Sequence, residues 1–463
     1  MVTVTLVTII DQIINGTASM HFYNRQEELK TLNHLEKQAS STGVMTVLTG
    51  RRRVGKTMLA LNHINNINHD FLYLFVGRKE ETLLCQEFLE EIKKKFNIPI
   101  IGEIKFFKEL FALLLEIAKN KKITIVIDEF QEFLQINKTV YSDLQKLWDL
   151  NKSSTKLHVI FIGSIYSLMH TIFEEYKQPL FGRADRIFNI KPFSLETLAI
   201  ILKDYKIFTP ENFFNFYVIT GNMPKYLDHL LQYKSNTLNN LENLLNIILQ
   251  KDSIFLNEGK NLLIEEFGRD YLTYFTILEL ISRGKTARAE IESLLSKDIG
   301  GYLQRLEIDY AIITKHRPIN AKPNSKNQKY KIIDNFLNFW FRFIYHYRTA
   351  IELENFNFIK TMIKQDYTNY AGRILEHFFK QLLAETSQFN QIGSYWEKHN
   401  NNEIDIVAIN DLEKTILIAE TKLNKSKISL NKLAIKAQNL LLDYPGYKAK
   451  FLALSIEDVV NYI

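Results

Sequence analysis

VMTVLTGRRRVGKTMLALNHI, residues 44–64, runs from a short stretch of β-branched and apolar side chains, through a loop with two glycines, into a segment of helix formers. Its middle, GRRRVGKT at 50–57, satisfies G-x-x-x-x-G-K-[ST], and a strand before it and a helix after it are the setting in which that pattern makes a phosphate-binding loop. Gly50 and Gly55 let the backbone curl so that its N–H groups face a phosphate, and the following helix adds the positive end of its dipole. Arg51, Arg52, Arg53 and Val54 make the turn and Met58 follows it into the helix. Lys56 would bridge the β- and γ-phosphates of ATP, and Thr57 would ligate Mg²⁺ through its hydroxyl.

Outward from this loop, β-branched runs alternate with helical segments from Thr46 to about Phe193: TVLTG, FLYLFVG, ITIVIDE, HVIFIGS and RIFNIKPF. Strands that are nearly continuous in apolar residues predict an α/β fold, a parallel sheet covered by helices on both faces. ITIVIDEF ends in two acids at the carboxyl end of its strand, where ligands of open α/β sheets gather. Asp128 is expected to hold Mg²⁺ through water, and Glu129 to orient and deprotonate the attacking water. Ser164, after the next strand, either contacts the γ-phosphate or positions water, or it caps the helix that follows.

The composition of the 463 residues, 46% hydrophobic and 24% charged with 17 Gly and 8 Pro, fits several ordinary globular domains, three by the length, and excludes a disordered or fibrous chain. Cys85 is the single cysteine, which excludes an intrachain disulfide and a multi-cysteine zinc site and fits a reducing cytoplasm. The start, MVTVTLVTIIDQII, is too short to span a bilayer, so no membrane partner is expected. It reads as a short strand or tail within an amino-terminal extension over residues 1–19, with Met20 an alternative start. A net charge of +6 permits nucleic-acid binding without requiring it.

From Leu195 to about Asn261 the pattern is helical, broken at Gly221 and Pro224. From about Asp270 come a helix through Ile281, a break at Gly284, helices over 287–295 and 301–306, and two strands, AIITKH and KYKII. Three helices and a hairpin predict a winged helix-turn-helix. No acid lies between Asp309 and Asp334, while Lys315, Arg317, Lys322, Lys326, Lys329 and Lys331 do. With Gln304 and Arg305 on the third helix, this stretch suits DNA, or else it is a soluble mobile loop. The aromatic helix NFLNFWFRFIYHYR must be buried, and the final hundred or so residues read helix (373–385), three strands, helix, strand.

The run FYNRQEEL at 22–29, then GRRRVGKT, IDEFQEF, Gly163 with Ser164, GRADRIFNIKPF and GNMPKYL, resembles the archaeal-type AAA+ ATPases, close to the STAND group, over residues 20 to about 230. The resemblance implies an ATPase core over 20–193 and a helical lid over 194–262, with Asn24 and Arg25 lining an adenine pocket and Pro224 pressing on the base or sensing the nucleotide. Asn24 reads equally as a helix N-cap, with Glu27 completing a capping box. Arg183 or Arg186, ahead of the fifth strand, is implied as an arginine finger for a neighbour's ATP in a homo-oligomer, the alternative being an ion-paired turn. Asn222 stands where the family usually has a second glycine, and Lys225 where an Arg sensor is more typical.

The rest of the chain resembles the same architecture, with a winged-helix domain over 263–350 and a PD-(D/E)XK nuclease-like domain of the DUF234 type over 351–463. In that fold a helix Glu, an Asp on the second strand and an E-x-K on the third converge on a divalent metal, and Glu376, Asp405, Glu420 and Lys422 occupy those places. The resemblance implies Mg²⁺ or Mn²⁺ held by Asp405 and Glu420, with Lys422 stabilising the hydroxide or the pentavalent phosphate. Independently, acids and a lysine in strands otherwise built of Ile, Val and Ala are costly unless they pair or bind metal. An E-x-K alone also fits a solvated strand edge.

Two function classes follow. One is an ATP-driven enzyme acting on DNA through a metal-dependent nuclease. The other is a nucleotide-controlled switch or scaffold whose last domain binds nucleic acid or protein without cutting.

Overall fold

The computed structural model of the chain describes residues 21–98, 102–268, 271–322, 325, 327–397 and 401–463. The expected amino-terminal extension and Lys326 lie outside them. Two compact units divide the described residues, one of residues 24–192 and the other of residues 193–463 together with 21–23.

In the first unit, β1 (Val44–Thr49), β2 (Asp70–Phe75), β3 (Ile123–Asp128), β4 (Leu157–Ile162) and β5 (Arg186–Asn189) form a wholly parallel sheet in the order β2-β3-β4-β1-β5. Every residue of β1, β3 and β4 is buried, which is why those segments read as unbroken apolar runs, whereas the edge strands β2 and β5 are partly exposed. The longer helices are α1 (Gln26–Gln38), α2 (Lys56–Asn65), α3 (Glu81–Phe96), α4 (Phe107–Asn120), α5 (Thr139–Asn151) and α6 (Tyr166–Glu174). Phe130 and Phe133, immediately after the two acids of β3, are fully buried, Phe130 with its ring 4.1 Å from Phe161 and Phe133 with its ring 4.5 Å from Phe107. Each such ring contributes about 1.5–3 kcal/mol of burial, so the chain leaving Asp128 and Glu129 is anchored.

The second unit opens with α7 (Leu195–Asp204), α8 (Pro210–Thr220), α9 (Pro224–Leu231), α10 (Leu241–Ile248) and α11 (Ile254–Phe267). The break at Gly221 and Pro224 falls as expected: Gly221 ends α8 at φ 58°, and Pro224 is the first residue of α9. α12 (Tyr271–Ser282), α13 (Arg288–Leu295) and α14 (Gly300–Glu307) precede the antiparallel pair β6 (Ile313–His316) and β7 (Lys329–Ile332).

The aromatic segment differs from a plain helix. After α15 (Asn335–Phe339), residues Trp340–Tyr345 form a π-helix, in which Trp340 stacks on Tyr345 five residues on at 5.4 Å. The helix expected over 373–385 is the end of a 30-residue α16 (Phe356–Glu385), capped by the Asn355 side chain. Its Phe378 packs on Phe213, Phe214 and Tyr217 of α8. β8 (Gln391–Tyr395), β9 (Ile404–Asn410) and β10 (Thr415–Thr421) pair antiparallel, and β11 (Lys448–Leu454) lies parallel to β10 after a crossover through α17 (Leu430–Lys436) and α18 (Gln438–Leu442).

Trp340 is 3% exposed, donates its Nε1 hydrogen to Leu256 O at 3.1 Å, and lies so close to Gly259 that a Cβ there would sit 2.2 Å from the indole. Gly259→Ala should therefore cost about 1–3 kcal/mol. It should lower the thermal transition of this unit, whereas Gly301→Ala, whose Cβ meets open space in α14, should leave it within about 1 kcal/mol.

Candidate active sites

The phosphate loop leaves the carboxyl end of β1. Gly50 takes φ 135°, and a Cβ on it would lie 2.4 Å from Ile190 O, so only glycine fits. Gly55 at φ 92° is the N-cap of α2, and Arg53 is also left-handed at φ 73°. Curled this way, the loop lets Lys56, 6% exposed, donate from Nζ to Gly50 O at 2.8 Å and Arg51 O at 3.0 Å. Val54 is buried, and Met58 is 42% exposed.

On the neighbouring strand ends, Thr57 Oγ1 donates to Asp128 Oδ2 at 2.8 Å. The Tyr73 hydroxyl donates to the same oxygen at 2.7 Å, and the Glu129 backbone N–H to Oδ1 at 2.8 Å. Burial first, then the Asp128 charge, pushes the Tyr73 phenol up, so it stays a donor. Glu129 itself is left-handed at φ 55°. Ser164 Oγ donates to Glu129 Oε2 at 2.8 Å, Gln131 Nε2 donates to the same oxygen, and Arg52 Nε donates to Ser164 at 3.2 Å. Ser164 is thus not a helix cap: Ile165 holds the N-cap of α6. Hydroxyl and carboxylate oxygens converging beside the loop are the hard donors that Mg²⁺ takes, so the residues fit that ion.

The capping box expected at Asn24 is not formed. Arg25 occupies the N-cap of α1 at φ 74°, and the Asn24 side chain accepts from the Arg25 backbone N–H at 2.7 Å instead. The Arg25 guanidinium, buried at 6% exposure, donates to Val54 O at 3.2 Å and Lys191 O at 2.6 Å, tying the start of α1 to the phosphate loop. Arg183 grips Asp149 through two nitrogens at 3.0 and 2.8 Å. Arg186 opens β5 rather than preceding it, and lies 5.6 Å from the Phe188 ring. Pro224 belongs to the second unit.

In the second unit Ile406 pairs with Ala419, which sets Asp405 opposite Glu420 on adjacent strands. Asp405 Oδ2 accepts from Thr421 N at 2.8 Å and Thr421 Oγ1 at 3.1 Å. Burial, then the Glu376 charge, pushes the Asp405 carboxyl up to about 6. Glu420 lies 3.6 Å from Lys422 Nζ and 3.5 Å from Lys436 Nζ, and Glu376 lies 3.9 Å from both Lys331 and Lys380. Burial and the Lys331 charge pull the Lys380 amine down to about 8. The acids and Lys422 singled out in the sequence are therefore neighbours.

The sequence reading missed Tyr73, Gln131, Lys380 and Lys436, and it placed Lys331 in the basic hairpin without its neighbour Glu376. Only Lys380 carried a local signal, standing one helical turn after Glu376. The basic hairpin is less open than expected: Lys315 pairs with Glu307, and Lys329 pairs with Glu403 at 2.9 Å while lying 4.6 Å from the Trp396 ring. Gln304, Arg305 and Lys322 are exposed.

Residues 22–230 match the family described as an ATPase domain predominantly from Archaea, and residues 340–433 match DUF234, a family of archaeal and bacterial proteins of unknown function. The uncharacterized protein MJECL04 of Methanocaldococcus jannaschii is 32% identical over 415 residues, covering 87% of each chain. MJ0424 of the same organism, also uncharacterized, is 34% identical over 97 residues, 19% of this chain and 92% of that one. Among solved structures, the Walker-type ATPase PABY2304 of Pyrococcus abyssi superposes with a TM-score of 0.51 at 19% identity, over 69% of this chain and 96% of that one. Among the described residues, no helix is long and apolar enough to cross a membrane. A phosphate loop, two acids at the end of β3 and a relative matched along most of both chains lead to one assignment: the chain belongs to the archaeal ATPase family, with an ATP-binding ATPase domain followed by a carboxyl-terminal DUF234 region.

Proposed function

We propose that the protein hydrolyses ATP with Glu129 as general base and acts on DNA through a divalent-metal phosphodiesterase site at Glu376, Asp405, Glu420 and Lys422. The observation that carries the first half is the chain of contacts from Thr57 to Asp128 at 2.8 Å, with Glu129 next in sequence held by Ser164 at 2.8 Å. Thr57 and, through water, Asp128 would hold Mg²⁺, which when bound neutralises charge on the β- and γ-phosphates. Lys56 would exchange its backbone carbonyls for phosphate oxygens. Glu129 would take the proton of the attacking water, with Ser164 and Gln131 fixing its carboxylate. Arg186 suits a neighbour's nucleotide in a homo-oligomer better than Arg183, which is committed to Asp149.

The second half rests on Asp405. A carboxyl pushed up to about 6 by burial and a neighbouring acid is a group that a divalent cation relieves. Mg²⁺ or Mn²⁺ would be held by Asp405 and Glu420, with Glu376 beside them and Lys422 meeting the scissile phosphate. Exposed Gln304, Arg305 and Lys322 would face the DNA. The switch reading is favoured by a different observation: Lys331, Lys380, Lys422 and Lys436 stand 3.5–3.9 Å from Glu376 and Glu420, so those two acids are balanced without metal.

At the nucleotide site, Lys56→Ala should remove most ATP binding. Glu129→Gln should bind ATP yet hydrolyse it roughly 10²–10⁴-fold more slowly, as general-base loss does. Wild-type turnover by Glu129→Gln in a phosphate-release assay would refute the base assignment.

The cluster should show itself in pH dependence. Because the folded Asp405 carboxyl is raised above its ordinary value, its contribution favours the fold at low pH and is lost as pH rises from about 4 to about 6. Asp405→Asn should remove that share of the decline in metal-free buffer, and Mn²⁺ should stabilise only the wild type. Asp405→Ala should abolish DNA nicking and leave ATP hydrolysis intact. No Mn²⁺ dependence of stability and no nicking under any nucleotide would leave the switch reading.

A further inference from the structure

The ATPase unit buries a second polar cluster, at the opposite end of its strands from the phosphate loop. Glu36 of α1 is 5% exposed, His63 of α2 1% and His158 of β4 0%. Glu36 Oε2 lies 2.7 Å from His158 Nδ1 and 3.2 Å from His63 Nε2, and one ligand atom from each of the three residues falls within 4.8 Å of the others. His69 approaches the other carboxylate oxygen at 3.0 Å. Three elements and a turn thus aim imidazoles and a carboxylate at one buried point.

We propose that Glu36, His63 and His158 bind one divalent ion of the zinc class, with His69 or a water as the fourth donor. Four ligands at about 2.0–2.1 Å from a tetrahedral ion stand about 3.3 Å apart, close to the spacing found here. Imidazole with carboxylate selects zinc or its neighbours over Mg²⁺. Burial pulls the His158 imidazole down, keeping it neutral. Burial alone would raise the Glu36 carboxyl, but hydrogen bonds from His158 and His63 outweigh it and hold the group well below the usual carboxylate range.

The second ring nitrogen of His158 lies 2.9 Å from Thr46 Oγ1, the kind of outer partner that orients a metal-bound imidazole. Ligation through the nitrogen that faces Glu36 leaves the other ring nitrogen to carry the hydrogen, in His158 toward Thr46. In His63 that nitrogen is Nδ1, which has no hydrogen-bond partner among the described residues.

The competing state is a network closed by hydrogen bonds alone, in which Lys122 Nζ, 3.2 Å from Glu36 Oε1, balances the carboxylate. That lysine side chain is 21% exposed and can turn outward when an ion enters. His63 stands six residues, about 9 Å, along α2 from Thr57, so the ion would pin to the sheet the helix that presents Lys56 and Thr57 to a phosphate.

Tag-free full-length protein, dialysed against chelator and then kept in excess Mg²⁺ to fill sites that take hard cations, should bind one Zn²⁺ per chain with a submicromolar Kd. Co²⁺ in its place should give the intense visible absorption of a four-coordinate site. Zn²⁺ at about a hundred times its Kd should raise the melting temperature of the ATPase unit by about 5–10 °C. Asp405→Ala should retain the ion, while Glu36→Gln and His158→Gln should lose it. Should those two variants fail to fold, the wild-type titration decides by itself: no stoichiometric Zn²⁺ under excess Mg²⁺, or Co²⁺ bound only with the weak absorption of six-coordination, overturns the proposal. Zn²⁺ lost from Asp405→Ala, or retained by a folded Glu36→Gln, overturns it equally.

Discussion

The amine of Lys56 has to be satisfied inside the protein, and that requirement shapes the phosphate loop. A buried ammonium without acceptors is costly, and here the acceptors are the carbonyls of Gly50 and Arg51, five and six residues back along the chain. Reaching them forces the backbone through left-handed turns at Arg53 and Gly55 and brings Gly50 against Ile190 O, where a side chain cannot stand. Arg25 then fastens the same loop through Val54 O and the end of β5 through Lys191 O. The amine is thereby placed before any nucleotide arrives, and trading carbonyl for phosphate oxygens requires little rearrangement.

The partners of each buried acid separate structural pairs from chemistry. Glu132, 6% exposed, is answered by the Arg78 guanidinium through two bonds at 2.7 and 3.2 Å, a closed ion pair. Asp128 and Glu129 accept from hydroxyls, an amide and a backbone N–H, which orient the two carboxylates beside the phosphate loop. Glu36 stands between the cases, with imidazoles that can serve as donors or as ligands.

What was legible in the sequence was whatever the chain writes locally. Unbroken apolar runs in β1, β3 and β4, the glycines of the phosphate loop and the Gly221–Pro224 break each express a constraint within a few residues. The capping box at Asn24 failed because Arg25, committed to the phosphate loop 29 residues away, takes the cap position in a left-handed conformation. The length of α16 was hidden because its first half is mixed in polarity. Tyr73, and the place of Lys331 beside Glu376, could not be found at all, since they come from elements far apart in sequence.

The same non-locality decides how the carboxyl-terminal cluster can work. A divalent ion entering between Asp405 and Glu420 competes with a proton on Asp405 and with the ammonium groups of Lys422 and Lys436. Those two side chains are 45% and 33% exposed, so each can swing into water and keep its hydration, at small cost. Lys380 cannot follow them: its side chain is 12% exposed and hydrogen-bonded to Ser394 Oγ. In the proposed metal-bound form these mobile lysines would leave Glu420, Lys422 to meet the phosphate, while Lys380 would stay beside Glu376. The E-x-K pair seen in the sequence therefore supplies the mobile lysine of the cluster, and α16, one turn after Glu376, supplies the fixed one.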